Sequence, residues 1–476
     1  MSLDSSSIPS EAAASDTRVI WVLAGAGMTV SVMQTIVIPL IPSFPTLFNT
    51  DAASASWVIT ATLLVAAVST PVMGRLGDMF GKKRMLLICM GFLAGSAVVC
   101  ALSTSLPVVV FGRGVQGLGI GAIPLGISLM RDIVAPARLG SGVALMSSSL
   151  GAGGALALPV AAFIADRWGW SALFWFAAAL GSALGALVAV GVPESPVRRP
   201  GSVDLVGVGG LAVGMGSLLL AISKGGSWGW GSATILGLFA ISVVVLAMWG
   251  AWELRVEAPI VDLRTTASRP VLMTNLASVM AGFSMYAMNL LAPQMLQLPE
   301  VTGYGLGKSV LAAGLWMAPG GLLMVAMSQA AAKLAAERGA KMSLLAGVLI
   351  ICAGNVLAQV LLTSGSAWSV LLFASIVSVG VAFAYAAMPT LIMENVPLSE
   401  TAAANGFNSL ARSFGTSTAS AVIGVVLAQM TVTIGDHVLP SESGMRTTLV
   451  ICTVSALLAA ALTWAIPARS PRHAHS

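Results

Sequence analysis

The sequence predicts an all-α membrane protein with fourteen transmembrane helices, arranged as two six-helix bundles with a two-helix insert between them. Apolar residues make up 57% of the 476 residues and charged residues only 9%, whereas a soluble protein has about 25% charged residues. The apolar runs are long and unbroken, as in membrane helices, and do not alternate with polar residues as in the strands of a β-barrel. The Lys and Arg residues fall between the runs in a one-sided pattern, described below.

Each apolar run is close to the ~20 residues that cross a bilayer. The runs predict helices at 19–41, 56–76, 85–103, 107–131, 140–165 and 171–192, an inserted pair at 204–222 and 234–252, and six more at 270–295, 309–327, 341–362, 368–392, 405–430 and 447–466. The expected division is a cytoplasmic tail at 1–18, an N-terminal bundle at 19–192, a linker with the insert at 193–269, a C-terminal bundle at 270–466 and a second cytoplasmic tail at 467–476.

The cations orient these helices. Seventeen of the 23 Lys and Arg residues fall on the side that would carry both termini, and four on the other side. Because cations are enriched in cytoplasmic loops, we expect both termini in the cytoplasm and the protein in the plasma membrane. The net charge of +5 is then an orientation signal, and we expect no nucleic-acid partner.

A weak internal repeat favours two related halves. Gly142 and Gly151 recur as Gly406 and Gly415 with one common offset, and Gly81 has a counterpart in Gly339. Parallel repeats of this kind are typical of secondary transporters.

The sharpest motif lies between the second and third predicted helices, in a short cytoplasmic turn from Gly74 to Leu86. A single carboxylate stands there among glycines and cations, and it could hold a neighbouring cation or a helix N-terminus as a latch between moving bundles. The alternative is an ordinary basic loop. We refer to five of these residues as the gate motif: Gly74, Asp78, Gly81, Lys82 and Arg84.

The gate motif resembles the signature loop of the major facilitator superfamily, and the six-two-six helix pattern resembles its fourteen-helix drug–proton antiporter branch. Further matches to that branch are Gly112 to Gly119, Thr35 to Val37 with Pro39 and Pro42, and Glu253 to Arg255 with Pro259, Asp262 and Leu263. The resemblance implies export of lipophilic small molecules by alternating access, in exchange for protons.

Several positions depart from the branch's pattern. Met33 and Gln34 stand where the resemblance leads us to expect an acidic residue, Leu158-Pro159 and Ala162-Phe163 replace glycine-containing pairs, and Ala336 replaces an acid in the distal copy of the loop. The sequence therefore has no clearly embedded carboxylate, and such groups are the usual carriers of protons and binders of cations. This favours a neutral, zwitterionic or anionic lipophile and leaves the proton step unassigned.

Two embedded arginines are candidates for coupling or cavity roles. Arg113 lies one helical turn from Gln116, and the resemblance implies that it faces the cavity, although it could instead extend its side chain to the interface. Arg412 lies near a predicted cytoplasmic helix end, where the same two interpretations remain open. Met33 and Gln34 complete this candidate group.

Candidate substrate contacts lie in the ninth and twelfth predicted helices. Methionine, aromatic and amide side chains at helical spacing suit an adaptable cavity for apolar ligands, although such stripes also occur in ordinary packing. The candidates are Phe283, Tyr286, Met288, Asn289 and Tyr385.

The expected function is secondary active export of lipophilic small molecules. The alternatives are a facilitator or non-proton-coupled exchanger of neutral or anionic lipophiles, a membrane enzyme, and a non-transporting sensor. An enzyme is disfavoured because none of the three histidines lies in a predicted helix and no embedded acid pair is evident. We expect protons and membrane lipids as partners, a monomer, and no metal or cofactor.

Overall fold

The computed structural model describes residues 8–38, 40, 44–50, 52–198, 201–257, 259–434 and 437–467. This part of the chain contains fourteen long helices, numbered α1 to α14 in chain order. They are Ile8–Thr35, Trp57–Phe80, Lys82–Leu102, Leu106–Ile133, Pro136–Trp168, Trp170–Gly191, Leu205–Trp228, Ala233–Glu253, Arg269–Gln297, Val310–Arg338, Ala340–Leu361, Ala367–Asn395, Thr401–Gln429 and Glu442–Trp464. Thirteen of them, α2 to α14, are long and apolar enough to cross a membrane.

The short elements lie in the connections. They are the helices Phe44–Leu47, Ala52–Ala55 and Leu263–Thr266, the 3-10 turns Gly119–Gly121 (within α4), Glu300–Thr302 and Leu398–Glu400, and the strands β1 (Thr431–Ile434) and β2 (His437–Pro440). The two strands pair antiparallel as a hairpin between α13 and α14. This hairpin was not expected from the sequence, because its strands are too short to show a clear alternation.

Several helices extend beyond the predicted bounds. Helix α1 begins in the Ala-rich segment before residue 19, because alanine favours helix. Helix α7 continues past the predicted end at residue 222 to Trp228. Helix α10 continues past residue 327 to Arg338. Polar residues end an apolar run without ending a helix, so hydropathy alone places these ends too early.

The segment predicted as a loop at the gate motif is almost entirely helical. Helix α2 continues to Phe80 and α3 begins at Lys82, so the break is the single residue Gly81, with φ of 111°. Gly339 breaks the chain between α10 and α11 in the same way, with φ of 88°. Glycine adopts positive φ without steric cost, which explains why both helix pairs turn at this residue.

The two bundles meet along two seams, α2 with α13 and α5 with α10. Small residues allow the helices to approach closely, as is usual in membrane helix packing. A Cβ atom on Gly406 of α13 would lie 2.8 Å from the carbonyl oxygen of Thr70. At the other seam, a Cβ atom on Gly314 would lie 3.1 Å from the backbone nitrogen of Pro159.

The inserted helices α7 and α8 pack on each other. Gly210 and Gly214 of α7 face Trp249 and Leu246 of α8, with the virtual Cβ atoms 2.9 and 2.6 Å from those side chains. Helix α7 also contacts α2 and α13, so the pair lies beside one seam between the bundles.

We call the side of the molecule on which α1 begins and α14 ends the terminal side. Contacts there include Ala135 with Asp16, and Lys341 with the carbonyl oxygens of Trp464 and Ile466. Several predicted features lie outside the described residues: Pro39 and Pro42 of the first-helix motif, Arg199, and the tail residues 1–7 and 468–476.

Candidate functional site

The gate motif forms a buried charge cluster at the terminal end of α2. The Lys82 ammonium lies 2.6 Å from Asp132 Oδ2 and 3.6 Å from Asp78 Oδ1, and all three side chains are inaccessible to solvent. Helix α2 supplies Asp78, α3 supplies Lys82 and α4 supplies Asp132. Buried charges are stable only when they are paired, so the cluster holds the ends of three helices together.

The linker after α6 closes this cluster from the side. The Glu194 carboxylate accepts hydrogen bonds from the backbone N–H groups of Lys83 (2.9 Å) and Arg84 (3.1 Å). It therefore caps the N-terminus of α3, where a negative charge is favoured. The Ser195 hydroxyl donates to Asp132 Oδ2. Arg84 takes part in the site through its backbone N–H, which donates to Glu194.

The same cluster reaches the other bundle through the N-terminus of α13. The backbone N–H of Ala403 donates to Asp78 Oδ2 over 3.1 Å, and a Cβ atom on Gly74 would overlap the carbonyl group of Ala402. Arg131 makes a second cross-bundle contact, from its Nη1 to the Thr401 hydroxyl over 2.8 Å. Polar contacts to the N-terminus of α13 therefore close the α2–α13 seam on the terminal side.

Arg113 lies away from this seam, among the first helices of the N-terminal bundle. It is 1% exposed, and its guanidinium donates to the carbonyl oxygens of Met33 (2.8 Å) and Val58 (3.2 Å) and to the side chain of Gln116. A weaker contact of 3.4 Å reaches the carbonyl oxygen of Gln34. The side chain does not extend to the interface, and it ties α4 to α1 and α2.

A small central cavity of about 10 Å³, with room for about one water molecule, lies between the bundles. Its walls include Ile127, Ser147 and Leu150 from the N-terminal bundle, and Tyr385, Asn405 and Arg412 from the C-terminal bundle. The Arg412 guanidinium lies over the Tyr385 ring, 4.5 Å from its centroid. This arrangement brings together two predicted candidates that are far apart in the sequence.

The other substrate candidates do not lie together in one cavity. Phe283 and Met288 are buried in the core of the C-terminal bundle, and Asn289 is exposed. The Tyr286 hydroxyl lies 2.9 Å from the Ser420 hydroxyl. Ser420 lines a larger cavity of about 350 Å³ between α2, α7 and α13, which Thr60, Ser223 and Trp230 also line.

Sequence reasoning missed Glu194, Ser195 and Arg131 as members of the site. Glu194 and Ser195 lie in the predicted linker at 193–269, and Arg131 is one of the seventeen cations on the side of the termini. An acidic residue in a linker gives no sign of the helix N-terminus that it caps, because that helix begins more than 100 residues earlier.

Comparisons with known proteins agree with this architecture. The model of the Major Facilitator Superfamily matches residues 23–420. The human organic anion transporter MFSD10 has a similar fold, with a TM-score of 0.66 at 15% identity over 94% of this chain and 99% of that chain. The proton:xylose symporter XylE has a TM-score of 0.65 at 15% identity, over 96% of each chain. At such identities these two structures show the fold alone.

Three curated relatives are named as exporters or drug-resistance proteins. The multidrug resistance protein Stp of Mycobacterium tuberculosis is 25% identical over 86% of this chain and 75% of its own length. The probable multidrug resistance protein EmrY of Escherichia coli is 31% identical over 63% and 57%, respectively. The tetracenomycin C resistance and export protein of Streptomyces glaucescens is 26% identical over 84% and 74%. These relatives agree with the resemblance to the drug-exporting branch, and the chain is a multi-pass membrane protein that belongs to the major facilitator superfamily.

Proposed function

We propose that this protein exports lipophilic small molecules across the plasma membrane by alternating access, with proton influx as the driving force. The observation that carries the proposal is the central cavity between the two bundles, which lies above a closed polar contact at one end of a seam. A cavity between two units that can rock against each other is the arrangement alternating access requires. The curated relatives, named for multidrug or antibiotic resistance, support a lipophilic substrate.

The gate motif would act as the latch of the terminal side, which is the cytoplasmic side in this proposal. Asp78 binds the N–H of Ala403 only while α2 and α13 are in contact. Rocking of the bundles would break this hydrogen bond, while the Lys82–Asp132 pair, which lies wholly within one bundle, could persist. The energy of the latch is then that of one charge-assisted hydrogen bond, about 1.5–3 kcal/mol.

A second candidate function is facilitated or non-proton-coupled exchange of neutral or anionic lipophiles. It is favoured by one observation: among the described residues, no carboxylate lines either the central cavity or the larger cavity beside α7. Embedded carboxylates are the common carriers of protons in transporters. We infer a monomer, with lipids as its surroundings, in both candidate functions.

An efflux screen in cells that lack their own major pumps tests the proposal. Cells that produce the protein are loaded with lipophiles of positive, neutral and negative charge, and efflux is followed with and without an uncoupler. We expect efflux of at least one class, abolished by the uncoupler. Efflux that persists with the uncoupler would favour the second candidate, and absence of efflux for every class would contradict both.

A further inference from the structure

Arg412 places a positive charge deep in the molecule. It lies eleven residues beyond the start of α13 at Thr401, roughly 17 Å along the axis at 1.5 Å per residue. Tyr385, which its guanidinium covers, lies ten residues before the end of α12, so both residues are at a similar depth. The sequence left open whether Arg412 extends to the membrane surface. In the structure it points across to α12.

Among the described residues, the charge has no counter-ion. Within the described part of the chain, the Arg412 guanidinium makes one contact, with the face of the Tyr385 ring, and no carboxylate lines the cavity. The Arg412 Cζ lies 4.5 Å from the centroid of the Tyr385 ring, and the aromatic ring accepts none of the directed hydrogen bonds that the guanidinium N–H groups can make to a carboxylate. A charge at this depth is costly and is usually paired.

Arg113 shows what a satisfied embedded arginine looks like in the same chain. Its N–H groups meet three backbone carbonyl groups and one side-chain amide oxygen, and it is 1% exposed. Arg412 has none of these acceptors in the described structure. The difference indicates that the acceptor of Arg412 comes from outside the protein.

A second polar group points to the same ligand. The Ser147 hydroxyl, on the opposite bundle, lines the cavity, is 2% exposed and has no hydrogen-bond partner among the described residues. A hydroxyl can donate to an anionic oxygen. The cavity therefore presents donors from both bundles, with apolar side chains such as Ile127 and Leu150 between them.

We propose that the central cavity binds lipophilic organic anions, with Arg412 as the counter-ion of a carboxylate or a similar oxyanion. The planar fork of the guanidinium matches the two oxygens of a carboxylate, and the contact with the Tyr385 ring holds the guanidinium beside the cavity. Ser147 donates to the same oxyanion from the other bundle. The cavity as it stands, about 10 Å³, has room for about one water molecule, so the hydrocarbon part of the ligand lies against the apolar walls once the two bundles move apart. This inference rests on the proposed function, of which it specifies the substrate class.

The test uses a lipophilic carboxylate and its uncharged methyl ester, which differ in charge and little in shape. Radiolabelled naproxen is bound to the purified full-length protein in non-ionic detergent, and naproxen methyl ester competes. We expect the wild-type protein to prefer the carboxylate by about tenfold or more, the size of a charge-assisted hydrogen bond. Adding phosphatidylglycerol, an anionic lipid, should leave this preference in place. If the lipid removes it, the site takes lipid headgroups and the proposal is wrong.

Arg412→Gln should reduce the preference to near one while the ester still binds. Arg412→Lys keeps the charge without the planar fork and should retain part of the preference. Arg446→Gln is the matched control, because Arg446 is already paired with Glu442 at 2.7 Å on the side opposite the termini; it should bind both ligands as the wild type does.

Two further results would overturn the inference: an equal loss of carboxylate and ester binding in Arg412→Gln, which indicates a structural arginine, and a wild-type protein that does not prefer the carboxylate over the ester. Failure of the proposed function has a separate signature, because the efflux screen would then show no transport of any lipophile. Efflux of lipophiles by a protein with no carboxylate preference would leave the proposed function standing and remove only this inference.

Discussion

Asp78 is the residue at which the two bundles are joined by a charge. One of its oxygens lies 3.6 Å from Lys82, and the other accepts the Ala403 N–H over 3.1 Å. From the sequence, a neighbouring cation and a helix N-terminus were alternative partners for this carboxylate. The structure contains both, because a carboxylate has two oxygens and α13 begins directly opposite the end of α2.

We expect Asp78→Asn to reduce efflux at least about tenfold, since the neutral amide makes a weaker hydrogen bond to Ala403 than the carboxylate does. The fold should survive, because Lys82 keeps Asp132 as its partner at 2.6 Å. The measurement is efflux in cells, normalised to the amount of protein in the membrane. Glu337→Gln is the matched control, since Glu337 is an exposed acid near the corresponding break between α10 and α11. Equal efflux of Asp78→Asn and wild type would contradict the latch.

Residue types alone indicated which residues carry charge, but not which charges meet. Arg113 and Gln116 lie one helical turn apart in the sequence, and their side chains are in contact in the structure. The pairing of Arg412 with Tyr385 was not predicted, since it depends on how α13 packs against α12. Asn289 was placed with the cavity candidates and is exposed, because a stripe at helical spacing does not say which neighbour each face meets.

Two glycines shape the terminal end of helix α2. Gly74 touches α13 so closely that a side chain has no room, and Gly81 ends the helix with a φ of 111°. Lys82 follows Asp78 by four positions across the break, which keeps the two charges on neighbouring turns.

Gly74→Ala should disrupt closure of the terminal side. Alanine has the higher helix propensity, by roughly 1 kcal/mol, so a loss of efflux can only come from the overlap with Ala402. We expect efflux to fall severalfold or more in the same normalised assay, because helices that approach at small residues leave no room for an added side-chain atom. Gly237→Ala in α8 is the control, because a Cβ atom there meets nothing within 4 Å. Normal efflux in Gly74→Ala would show that α2 and α13 need not close this tightly.

At the scale of the whole molecule, the two seams use corresponding helices. In the glycine repeat, α10 corresponds to α2 and α13 to α5. The two seams, α2–α13 and α5–α10, are therefore equivalent, because each joins the second helix of one half to the fifth helix of the other. The insert breaks this correspondence, because α7 packs beside α2 and α13. Only that seam has the cavity of about 350 Å³ among the cavities of the described structure.

The proposed orientation is testable with single cysteines in a version of the protein whose four native cysteines are replaced. Ser364 and Glu337 are both exposed, on opposite sides of the molecule. In the proposed orientation the terminal side faces the cytoplasm, as the distribution of cations predicts, so a membrane-impermeant maleimide should label Ser364→Cys in intact cells. Glu337→Cys should react only after permeabilisation. The reverse pattern would invert the orientation.

The sequence by itself determined the number of helices, their approximate bounds, the family resemblance and the position of the gate motif. These properties are local: a membrane helix is recognised by a run of apolar residues, and a tight turn by glycine with its neighbours. Tertiary structure alone decided that Glu194 caps α3, that Ala403 meets Asp78, and that Arg412 lies over Tyr385 beside a cavity without a carboxylate. The physical reason is that these contacts join residues far apart in the chain, and their energies depend on which helices the packing of small residues brings together.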